Sequence, residues 1–108
     1  MNAYERLLKY VVIRTPSNEE SETTPSSQCQ FDLANVLKKE MEELGICDVT
    51  LTDTCFLYGK IPATPGCENA PALGLIAHMD TAPDFSGEGV NPQIIENYDG
   101  SRVALGNS

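Results

Sequence analysis

An α/β fold, two helices packed on a mixed sheet, is what this 108-residue sequence predicts. Three observations lead there. Residues 4–12 and 33–44 each repeat apolar side chains at helical spacing. From Val49 to Ile61 the period falls to two, as side chains alternate across a strand. Ala72 to Ala77 is then apolar without alternation, the pattern of a strand covered on both faces in the middle of an α/β sheet.

The first helix opens at Asn2 with Glu5 three positions on, and Tyr4, Leu7, Leu8, Val11 and Val12 form its apolar face. It must stop before Pro16, whose ring disfavours helical geometry at Thr15. Ser17 to Ser26 is a polar connecting loop. Ser27 and Gln30 make a capping-box pattern for a second helix, with Leu33, Ala34, Leu37, Met41 and Leu44 facing inward. Lys38, Lys39, Glu40, Glu42 and Glu43 read as its solvated face. Gly45 closes the helix, and Ile46 can fold back on Met41 in a Schellman arrangement. Val49 and Leu51 then alternate with Thr50 and Thr52, Cys55 to Ile61 is a second strand-like run, and Asp53-Thr54 between them predicts a hairpin. Pro62 to Pro71 is a turn-rich loop. Gln93 to Glu96 and Arg102 to Leu105 flank Asp99-Gly100, a strong two-residue hairpin signal.

Composition bounds the function classes. Apolar residues at 41% and charged residues at 21% are globular values. The net charge of -9, from 16 acidic and 7 basic residues without a basic cluster, excludes nucleic acid as the expected partner. Apolar runs such as Leu73 to Ala77 fall far short of the roughly 20 residues a membrane span needs. The opening MNAYERLLKYVV interleaves Glu5, Arg6 and Lys9 with its apolar positions, unlike a signal peptide, so the expected location is cytoplasmic. Cys29, Cys47, Cys55 and Cys67 show no CxxC pair and make a poor match to structural zinc spacings. Free thiols are the expectation, with a disulfide pair the alternative that spacing leaves open.

The chemistry concentrates at LGLIAHMDTAPDFSG, Leu73 to Gly87, where the chain's one histidine ends the apolar run. In an extended segment His78 and Asp80 share a face while Met79 takes the other. A neutral imidazole at the carboxyl end of a strand is a good metal ligand, and a neighbouring carboxylate can orient it. From the residues alone a second role stands beside that one: a hydrogen-bonding structural histidine at a strand end. A catalytic zinc normally takes three protein ligands, and neither a second histidine nor an HExxH pattern is present. Ser86 lacks a partner base, so a serine nucleophile is excluded from the expected chemistry. Asp84 stands either as a site carboxylate or as a turn former in its loop.

These residues also carry a resemblance. AHMDTAPDFSGEGVNPQIIENYDG resembles the metal-binding segment of the di-zinc M20 aminopeptidases and deacylases. HxDT marks that wider group, whereas PDFSG followed by VNPQIIENY is specific to its tripeptidase branch. The similarity extends over almost the whole chain, through LLKYVVIRTPS, LKKEMEELG, DVTLTD and GLIAHMDT.

The resemblance implies that residues 1–108 form the N-terminal portion of a phosphorylase/hydrolase-like α/β catalytic domain. The rest of that domain and a lid or dimerisation domain would lie beyond Ser108. It further implies two Zn2+ ions per complete site, His78 as one metal ligand, and Asp80 as the active-site aspartate supporting it. The bridging aspartate, the general-base glutamate and the other ligands would fall outside the chain. The implied parent releases the N-terminal residue of tripeptides, in the cytoplasm and as a homodimer, while the chain alone is inactive. Two readings compete with it: an M20 enzyme acting on dipeptides or N-acyl amino acids, and a non-catalytic binding module. The module predicts a closed core, and a portion of a larger domain predicts uncovered apolar surface.

Overall fold

The computed structural model describes residues 1–106, with elements in the order α1 (Ala3–Tyr10), α2 (Gln30–Glu43), β1 (Cys47–Leu51) and β2 (Leu57–Lys60). The strands pair antiparallel as a two-stranded sheet, and α2 lies against both, mainly against β1. The α/β character is therefore as expected, but the sheet is an antiparallel hairpin and not a mixed sheet.

Helix α1 begins as its sequence predicts. The Asn2 backbone N–H donates to Glu5 Oε2 at 2.5 Å, satisfying a donor that the first turn leaves free. The helix ends earlier than the apolar period, at Tyr10, and its apolar stripe is only partly covered: Leu8 and Val11 are half-buried, whereas Tyr4, Leu7 and Val12 are exposed. What docks α1 is the opposite stripe. Arg6, Lys9 and Tyr10, at i, i+3 and i+4, converge on the carboxylate of Glu40 in α2. The expectation of a solvated Glu40 is thus wrong, since the residue is only 8% exposed. Apolar periodicity along one helix cannot register cations arriving from another.

The start of α2 also departs from expectation. Ser27 and Gln30 form no capping box. The chain enters through i→i+3 bonds, Gln30 N–H to Ser27 O and Phe31 N–H to Gln28 O, with Cys29 as a helical N-cap residue. The Gln30 side chain is buried and occupied elsewhere, donating to the Pro16 carbonyl and to Ser26 Oγ, each at 3.3 Å. The C-terminus is a Schellman motif as predicted: Gly45 has φ +76°, Ile46 N–H donates to Met41 O, and Gly45 N–H donates to Glu42 O. On the inward face Leu33 and Ala34 are buried, whereas Leu44 is exposed.

The predicted hairpin forms around Asp53-Thr54, with a wider connection than two residues. Thr52 N–H donates to Phe56 O, and Thr52 Oγ1 accepts from the Phe56 amide. A bulge between Cys47 and Thr50, with Asp48 at φ +53°, shifts the register. Gly59 admits the helix end to the hairpin, because a Cβ at that position would sit 2.6 Å from Ile46 Cγ2 and closer still to Met41 Cε.

From Ile61 to Gly106 the described chain contains no helix or strand beyond an isolated parallel bridge between Pro16 and Thr81. The covered central strand expected at Ala72–Ala77 is absent. Leu73, Leu75 and Ile76 are almost fully exposed, since a continuous apolar strand needs neighbours on both edges and cover on both faces. The Asp99-Gly100 hairpin is likewise absent. Asp99 Oδ1 accepts from Ser101 N–H at 2.9 Å, an Asx turn that competes with strand pairing. The radius of gyration, 17.4 Å, exceeds the roughly 13 Å of a compact chain of about 100 residues. Uncovered apolar surface runs against the closed-core expectation of a binding module.

Candidate functional site

His78 and Asp80 are brought together, although no strand presents them. His78 Nδ1 lies 2.8 Å from the Asp80 backbone oxygen and 3.1 Å from Asp80 Oδ1. Both oxygens are acceptors, so Nδ1 carries the hydrogen and donates, leaving the lone pair on Nε2. The His78 side chain is 84% exposed, so this free nitrogen faces solvent. Beside it runs a groove of about 680 Å³ lined by Gln30, Leu37, Tyr58, Met79, His78 and Asp80 among others.

The segment after the pair is tied to the N-terminal part of the chain. Thr81 N–H donates to the Thr15 carbonyl at 2.9 Å, and Ser17 donates to the Thr81 carbonyl from its amide (2.9 Å) and its hydroxyl (3.1 Å). Arg14 Nε reaches the Ser86 carbonyl at 3.2 Å. Ser17, Arg14 and Gln30 were not among the candidates the sequence offered. Arg14 and Ser17 flank Pro16, with Ser17 in a segment that reads as loop, and Gln30 reads as part of a capping box.

The fit to a metal is partial. A histidine with Nδ1–H held by a carboxylate and a carbonyl, and with Nε2 open, is in the form in which imidazole binds zinc. Among the described residues, however, no three His, Cys, Asp or Glu side chains converge to hold an ion. All four cysteines are free, as expected, and burial pushes the Cys55 thiol pKa up, against thiolate chemistry there. Asp84 sits in a turn, and the Ser86 hydroxyl accepts from the Glu88 amide. No helix among the described residues is long and apolar enough to cross a membrane.

No family model matches the chain. Individual relatives do. A Peptidase T of Desulfitobacterium hafniense (strain Y51) is 50% identical over 101 residues, covering 94% of this chain and 24% of that protein. A Peptidase T of Alkaliphilus oremlandii is 45% identical over 105 residues, 96% of this chain and 26% of that protein. In Bacillus licheniformis the Peptidase T match is 45% over 104 residues, with 96% and 25% covered. The chain thus spans about a quarter of the length of these curated relatives.

Near-complete coverage at such identity, including the His78–Asp80 loop, defines the chain as a portion of a peptidase-related protein. The similarity is to Peptidase T, and it is consistent with an N-terminal portion of such a protein.

Proposed function

We propose that this chain is the N-terminal part of the catalytic domain of a zinc aminotripeptidase of the M20 group, a cytoplasmic enzyme that releases the N-terminal residue from tripeptides. The observation carrying the proposal is the likeness to Peptidase T across the segment that holds His78 and Asp80. In this reading His78 is a ligand of one of two zinc ions through Nε2, and Asp80 is the residue that fixes the ring. Zinc, when bound, supplies a Lewis acid and lowers the pKa of coordinated water. The chain's own part is to hold Nδ1–H on two oxygens, which fixes the ring orientation and leaves Nε2 as the nitrogen available to a metal. The other ligands, the general base and the lid or dimerisation domain belong to the remainder of a longer, homodimeric protein.

The test uses the full-length gene product. His78→Ala lowers its zinc content and abolishes tripeptide hydrolysis. Asp80→Asn costs about 10–100-fold in metal affinity or activity, as expected when the partner of a ligating imidazole is removed. A full-length protein that binds no zinc rules the reading out. Preference for dipeptides or N-acyl amino acids over tripeptides would keep the metal site and transfer the substrate to another M20 branch.

A further inference from the structure

We propose that Ser17 and Gln30 are positioning residues for His78, acting through the backbone of Thr15 to Ser17 and of Thr81. The carbonyl that receives His78 Nδ1–H belongs to Asp80, and the N–H of that same peptide is the amide of Thr81. Because a peptide unit is planar and trans, fixing the direction of its N–H fixes the direction of its C=O. The Thr81 amide is fixed by the Thr15 carbonyl, and Thr15 is 3% exposed, so water does not compete freely for that bond. The next carbonyl, that of Thr81, is held twice by Ser17, from its amide and from its hydroxyl.

Thr15 to Ser17 is in turn attached to α2, because the buried Gln30 amide donates to the Pro16 carbonyl. A line of hydrogen bonds therefore runs from helix α2 through Gln30, Pro16 and Ser17 to the Thr81 carbonyl, and the backbone of Thr81 connects it to the Asp80–Thr81 peptide that meets the imidazole. Without it, the Asp80–Thr81 peptide lies in an otherwise unpaired segment and is free to rotate. His78 then loses the nearer of the two oxygens that hold its Nδ1–H. The importance of this orientation rests on the reading of His78 as a ligand, but the clamp itself does not.

The experiment is nuclear magnetic resonance on the metal-free chain at fixed pH, where a single histidine leaves its ring nitrogens unambiguous. In Ser17→Ala the Thr81 amide exchanges about five- to tenfold faster, the effect of losing one ordinary hydrogen bond. The His78 ring 15N shifts move from the Nδ1–H form toward those of an unrestrained imidazole. Gln30→Met, close in shape but without a donor, gives the same pair of changes, and Ser17→Thr restores the wild-type values. The Thr52 amide, bonded to Phe56 O in the hairpin, keeps its exchange rate and separates local loosening from global destabilisation.

Unchanged ring shifts in Ser17→Ala overturn the proposal, as does equal acceleration at Thr52. The readout contains no zinc, so it judges the clamp even if the full-length protein proves to bind none. Absence of zinc there would overturn only the function proposed above.

Discussion

Glu40 shows how one side chain can dominate the way an element is attached. Its carboxylate accepts from Lys9 Nζ and Arg6 Nη1, each at 2.6 Å, and from the Tyr10 hydroxyl. The hydrogen bond from Lys9, followed by those from Tyr10 and Arg6, lowers its pKa from an ordinary 4.5 to about 2. A depressed folded-state pKa means that the unfolded chain takes up the proton first as pH falls. The stabilisation is therefore complete above about 4.5 and is lost between there and about 2. Urea unfolding followed by circular dichroism should show the midpoint falling across that window. Glu40→Gln should start lower at neutral pH, with two cations left without their acceptor, and should lack this component of the acid decline. An acid profile in Glu40→Gln that parallels wild type would show that the carboxylate does not anchor α1.

At the scale of elements, what could be read from the sequence was what local spacing determines. The Schellman end at Gly45, the hairpin around Asp53-Thr54 and the inward Leu33 and Ala34 follow from residues within a turn or two of one another. The same holds for the proximity of His78 and Asp80, two residues apart in extended chain. The docking of α1 by its polar stripe was not legible, because Arg6, Lys9 and Tyr10 find their partner 30 to 34 residues away. Gln30 was misread for a related reason: a capping box is a local use of the side chain, and the Pro16 carbonyl competes for it from a distance. Leu33→Ala, at a buried position on the packed face of α2, should cost about 2–5 kcal/mol in chemical denaturation. Gly59→Val should cost about 1–3 kcal/mol, since its branches would displace Met41 and Ile46 where helix and hairpin approach most closely. A neutral Gly59→Val would mean that the helix end can move away from β2 without loss.

The whole molecule is a small helix-and-hairpin body continued by a long extended segment, and its apolar residues are distributed unlike those of a closed domain. Leu73, Leu75, Ile76, Phe85 and Leu105 are each more than four-fifths exposed, although they include the run whose pattern most resembled a buried strand. Contiguous apolar surface of this kind drives association, and here a net charge of -9 opposes it by keeping copies apart. Salt should decide between the two. At about 0.01 M ionic strength the screening length is roughly 30 Å and repulsion acts across the width of the molecule; at about 1 M it falls to roughly 3 Å. The chain should accordingly bind an apolar-surface dye at every salt concentration, and its mean mass by sedimentation should rise as salt is added. Amide exchange supplies the independent check, because Leu73 to Ala77 have no backbone partners and should exchange without protection, whereas Thr81, bonded to Thr15, should be slowed. Protection across Leu73–Ala77 together with a salt-independent monomer and no dye binding would mean that this run is paired and covered in solution. A strand would then present His78, in place of the extended and otherwise unpaired segment described here.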